Sequence, residues 1–193
     1  MSRREIDGLY RVCVKIYASK HEIEDHAELL VPIFHEWIRE RVLDVVMLDV
    51  ADYAHAPDSP GIMLVCHEVS FALDQADGRF GLLAQRRTPI DGTAADAIAV
   101  TVRHVLDVGA RLEYDPRVAG KLKLDPSTLR IEANDRLLAP NSDAGYKTFV
   151  PLVRDGVRAA FGRGEPVVKR IDNDPRDRLA VEVQLDSAFD VYE

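Results

Sequence analysis

The stretch IMLVCHEVSFALDQADGRFGLLAQR, residues 62–86, decides the fold. Its opening run is apolar with a period of two, Met63, Val65, His67, Val69 and Phe71 falling on one face and Ile62, Leu64, Cys66 and Glu68 on the other. A strand that is apolar on both faces belongs in the interior of a sheet. Asp77-Gly78 is a favoured hairpin dipeptide, and it turns the chain back into Phe80–Arg86, so the sheet has antiparallel pairing at its heart.

Working outward, the alternation of Val12, Val14 and Ile16 with Arg11, Cys13 and Lys15 predicts a strand over 9–17. Leu30, Ile33, Phe34, Trp37 and Ile38 recur at helical spacing and predict a helix over 27–41, with Pro32 at or near its first turn. Strands are expected near 44–50, 62–72, 80–86, 129–135, 167–171 and 179–185. Two further helices are expected over 94–113, capped by Thr93, and 146–161, stopped by Gly162. Trp37 should pack on the sheet with Phe34, Ile38, Leu48 and Leu64.

The order of these elements is that of an α+β protein: one mixed or mainly antiparallel sheet with helices mostly on one face. No linker or low-complexity run divides the chain, so residues 1–193 read as a single domain. Val31-Pro32-Ile33 and Val150-Pro151-Leu152 each introduce a helix that leads to a Val-Val strand. That rhyme suggests an internal βαββ duplication, with pseudo-repeats at about 8–92 and 122–193 and the two prolines in equivalent places.

Charge narrows the partners. With 33 acidic and 25 basic residues the net charge is −8, and the Lys and Arg residues are scattered, so nucleic acid and anionic membrane are not expected partners. Cys13 and Cys66 sit in apolar runs and read as free thiols of a reducing compartment. The N-terminus shows no apolar signal segment and no run is long enough to span a bilayer, which points to a soluble, cytoplasmic chain.

Polar residues are densest between Asp49 and Arg79. Candidate ligand-binding residues are Asp49, Asp52, His55, His67, Glu68 and Arg79. A histidine beside a carboxylate on neighbouring strands is the smallest acid–base or metal-ligating unit. The structural reading of His67 and Glu68 is a satisfied hydrogen-bonding pair, and the zinc-protease pattern is missing, since Phe71 stands where its second histidine would be. Neither a phosphate-binding glycine loop nor a nucleophile elbow is present, and no motif specifies a cofactor.

The segments FHEWIRE, LDVADYAHAPDSPGIMLVCHEVSFALD, DGRFGLLAQRR and RLLAPN resemble a family of uncharacterised bacterial proteins of about this length. The resemblance covers most of the chain and implies a stand-alone bacterial protein, and it transfers no functional residue. The leading expectation is therefore a module that binds a small ligand or a protein partner, as a homodimer. The alternative is a metal-assisted or acid–base enzyme using Asp49, His55, His67 and Glu68.

Overall fold

A computed structural model describes residues 6, 8–53, 61–162 and 164–185. Its strands are β1 (Val12–His21), β2 (Met47–Asp52), β3 (Ile62–Cys66), β4 (Val69–Asp74), β5 (Gly81–Arg86), β6 (Leu122–Ala133), β7 (Val167–Arg170) and β8 (Ala180–Gln184). Its helices are α1 (His26–Glu40), α2 (Ala94–Tyr114) and α3 (Asp143–Phe161). The strands form one antiparallel sheet in the order β2-β3-β4-β5-β1-β6-β8-β7. This is the α+β architecture expected, with the described helices on one face.

Sequence alternation selects that face. Val12, Val14 and Ile16 of β1, Leu82 and Ala84 of β5, and Leu129 and Ile131 of β6 are fully buried beneath the helices. Helix α2 lies over these central strands, α1 over β2 and β3, and α3 over α2 and β7. Each helix starts where a side chain satisfies free backbone N–H groups. Asp25 accepts from the Glu28 N–H, Thr93 and Asp96 form a reciprocal capping box, and Ser142 accepts from the Gly145 N–H. Gly162, at φ 76°, ends α3 in the left-handed conformation.

These caps explain one correction. The Asp25 cap starts α1 at His26 and the Ser142 cap starts α3 at Asp143, so Pro32 and Pro151 lie inside the helices, past the first turn, and not at or near their starts. Interior proline costs roughly 3 kcal/mol. The fully buried Ile33 and Phe34 in α1, and Leu152 and Val153 in α3, sit directly after each proline and offset that loss.

A second correction concerns the opening stretch. The run 62–72 is not one strand: the chain reverses at His67-Glu68 and makes the separate strands β3 and β4. Neighbours hold the reversal in place, because the His67 N–H donates to the Val46 carbonyl and the Arg87 N–H to the Glu68 carbonyl. Leu48 is the third. The β2–β3 register slips between Met47 and Asp49, which leaves Leu48 unpaired on the edge strand and 54% exposed. Trp37, Phe34 and Leu64 are buried as expected, and Ile38 is half-buried against them.

The two halves share a path. Each begins on a central strand (β1 or β6), crosses by a helix to an edge strand (β2 or β7) and returns antiparallel. The first half returns through β3, β4 and β5, the second through β8 alone.

Helices α2 and α3 touch closely at Gly156. A Cβ there would lie 2.7 Å from the Ala95 carbonyl oxygen and 2.8 Å from the Ile98 Cβ. Gly156→Ala is therefore expected to lose about 1–3 kcal/mol by overpacking, in spite of alanine's better helix propensity. Chemical denaturation measures it, and an unchanged midpoint would contradict the close contact.

Candidate functional site

The other face of β1 presents Cys13, Lys15 and Tyr17, away from the described helices. Lys15 stands between Leu83 of β5 and Arg130 of β6, and Cys13 between Gln85 and Glu132. Cys13 and Lys15, with Asp74 at the end of β4, Asp77 after it and Arg178 before β8, line a cleft of about 590 Å³.

Lys15 forms its floor. The side chain is only 2% exposed, and its Nζ donates to Asp74 Oδ2 at 2.7 Å and to Asp77 Oδ1 at 2.5 Å. Gly81 leaves it room: a Cβ there would fall 2.3 Å from the Ile16 carbonyl oxygen and 3.1 Å from Lys15 Cε. The Tyr17 hydroxyl donates to Asp77 Oδ2 at 2.9 Å, and Arg130 Nη1 approaches the same oxygen at 3.4 Å. Arg79 stacks on the Tyr17 ring at 3.4 Å from its centroid and donates to Glu182 at 3.3 Å. Arg130 Nε binds Glu132 at 2.7 Å. Arg178 is held more loosely, with Nη1 3.7 Å from Glu132 Oε2 and 4.0 Å from Cys13 Sγ.

Electrostatics fix the protonation states. Burial works to raise the Asp77 pKa, but the hydrogen bond and charge of Lys15, then Tyr17 and Arg130, outweigh it and hold the carboxyl below its usual range. Burial, reinforced by the negative charge of Glu132, pushes the Cys13 thiol up to about 12. Burial and then Asp77 push the Tyr17 hydroxyl up to about 12. Near neutral pH neither group supplies a nucleophile or a base.

Of the residues singled out in the sequence, the described ones lie at separate places along β2, the β3–β4 turn and the segment after β4. His67 and Glu68 form the turn between β3 and β4, 3.5 Å apart at His67 Nδ1 and Glu68 Oε1, with the His67 side chain 64% exposed. Glu68 Oε2 also accepts from the Val46 N–H at 3.3 Å. Its charge acts on Arg86, which is 4% exposed and donates from Nη2 toward the Pro89 carbonyl. Asp49 is exposed, sits opposite Val65 on β2 and binds its own neighbour's N–H, that of Val50, at 2.8 Å. Asp52 pairs with Ile62, at the other end of β3 from Glu68. Arg79 stacks on Tyr17 beside the cleft, at the opposite end of β4 from His67 and Glu68. His55 lies outside the described residues, as does the loop around Pro57 and Asp58.

Among the described residues no group of three or more His, Cys, Asp or Glu is placed to hold a metal ion. Cys13 and Cys66 are both free and buried, on opposite faces of the sheet with β4 and β5 between their strands. No described helix is long and apolar enough to cross a membrane.

Sequence reasoning missed Lys15, Asp74, Arg130, Glu132 and Arg178 as a group. One signal was present: Lys15 is the cation that breaks VCVKIY, where an apolar residue would continue a strand buried on both faces. Comparison with protein-family models, curated proteins and solved structures gives no match.

Proposed function

We propose that this chain is a binding module whose sheet-face cleft receives a small polar ligand, with an anionic group of the ligand met by Arg130 and Arg178. The observation that carries this reading is Lys15, sunk to 2% exposure on the cleft floor between two carboxylates. A buried ion cluster is no better for stability than apolar residues of similar volume, so stability alone does not account for a charged floor. Above it, Arg178 has no partner closer than 3.7 Å among those the structure records, and Arg130 reaches Asp77 only at 3.4 Å. Both guanidiniums therefore keep N–H donors in a planar fork suited to a carboxylate or phosphate. Asp177 and Glu132, also on the cleft wall, favour an amino or hydroxyl group beside the anion.

Thermal-shift titration with amino acids, small dicarboxylates and sugar phosphates, taken one class at a time, tests the proposal. One class is expected to raise the melting temperature, with the shift abolished in Arg178→Ala and reduced in Arg130→Ala. A flat response to every class, or a shift that survives in both variants, would overturn it.

A second reading, association of two copies, is favoured by Val46 and Leu48, both more than half exposed at the β2 edge. Asp49 capping the Val50 N–H and the irregularity at Leu48 both interrupt that edge, which weakens the case for continuous strand pairing there. The enzyme reading has less support: Glu68 accepts from the Val46 N–H, and Asp49 accepts from the Val50 N–H.

A further inference from the structure

We propose that His21 and His26 form a surface site for a divalent transition-metal ion of the zinc, nickel or copper class, bound through their two Nε2 atoms. The site is remote from the polar cleft in its chemistry and stands independently of the binding role assigned there.

The two Nε2 atoms face each other at 3.0 Å. A neutral imidazole carries one N–H, so at this distance one ring donates and the other accepts; when the donor ring takes the tautomer with its proton on Nδ1, both Nε2 atoms are free to ligate an ion. With metal–nitrogen bonds of about 2.0–2.1 Å, two ligand nitrogens stand about 2.9 Å apart at a right angle and about 3.4 Å apart in a tetrahedron. The observed separation falls inside that interval; the ring centroids are 5.2 Å apart, so the rings face each other nearly end to end, and capture of an ion needs them to tilt until both lone pairs point at it. Imidazole nitrogen suits zinc, copper and nickel and disfavours magnesium and calcium, which take oxygen ligands.

Regular structure holds both rings. His21 is the last residue of β1 and pairs with Leu122 of β6. His26 is the first residue of α1, directly after the cap Asp25. Phe80 stacks on His21 with centroids 3.5 Å apart and planes 22° from parallel, and it lies 5.3 Å from His26. The rings are thus partly pre-oriented, which lowers the entropy lost on coordination.

The positive N-terminal end of α1 opposes a cation, and the carboxylates of Asp25 and Glu28 in its cap and first turn offset that. With two protein ligands, water completes the shell, so affinity should be modest.

Calorimetric titration of the full chain with Zn²⁺ and with Ni²⁺ tests the site, alongside NMR of the histidine ring signals. Expected are one ion per chain, shifts at His21 and His26, no response to Mg²⁺, and affinity about tenfold or more weaker in His21→Ala and in His26→Ala. His67→Ala, which removes a different exposed imidazole, should leave the affinity unchanged. Circular dichroism confirms that each variant is folded. No binding by the wild-type chain, or an affinity in either site variant equal to that of the wild type, would overturn the proposal. Arg178→Ala should bind the ion normally whatever becomes of the cleft ligand, so the two proposals fail separately.

Discussion

Lys15→Ala is expected to lose about 3–5 kcal/mol of stability, the usual result of removing one partner from a buried ion pair. Two carboxylates depend on this ammonium: Asp74, with a side chain 8% exposed, and Asp77, 13% exposed. Without Lys15 the influences that hold Asp77 down are cut back, and the burial that raises its pKa is left less opposed. The pH dependence follows in sign. Asp77 has a folded-state pKa below its unfolded value, so its contribution is fully present above about pH 4 and is lost as pH falls through the folded pKa. In the variant the repelled carboxylates gain by protonation. The gap between wild type and variant should therefore narrow as pH drops through about 4. Lys15→Met combined with Asp74→Asn and Asp77→Asn should recover much of the loss, because it removes the whole cluster and leaves no unpaired charge. Urea denaturation across pH measures all three chains. A pH-independent gap would show that lost packing, and not charge, explains the effect.

Trp37→Ala should lose a comparable amount, about 3–5 kcal/mol. The indole is 5% exposed on α1, 5.6 Å from the Phe34 ring between centroids, on the helix that covers β2 and β3. For a chain of this length that corresponds to roughly 6–20 °C in melting temperature. Trp37→Phe keeps an aromatic in place and should lose clearly less. Calorimetry checks both, and an unchanged melting temperature in the alanine variant would mean that α1 does not rest on this face.

What could be read from the chain depended on the range of the interaction. Local signals were clear. Thr93 caps α2, Gly162 stops α3, and the chain turns at Asp77-Gly78, because each needs only its neighbours in sequence. The reversal at His67-Glu68 was hidden because apolar period-two character continues through both arms, with no glycine or proline to mark the turn. It is held instead by Val46, just before β2, and Arg87, just after β5. Leu48 looked like core because its apolarity is plain and its edge position is not. The cleft failed to appear for the same reason. Asp74, Asp77 and Arg79 fall within or beside the dense polar stretch, but Lys15, Arg130 and Arg178 join them only through the placement of β1 between β5 and β6.

That placement also bears on how the chain is made. During synthesis β1 leaves the ribosome before either of its partners, Gly81–Arg86 and Leu122–Ala133, exists. For that interval VCVKIY is a bare β-prone segment whose unpaired N–H and C=O groups could recruit the same segment from a neighbouring nascent chain. Lys15 places a positive charge at its centre, and stacking identical strands in register would align those charges. The ammonium that ends on the cleft floor thus also sets a charge against in-register self-pairing of this segment for as long as Asp74 and Asp77 are not yet present to pair with it.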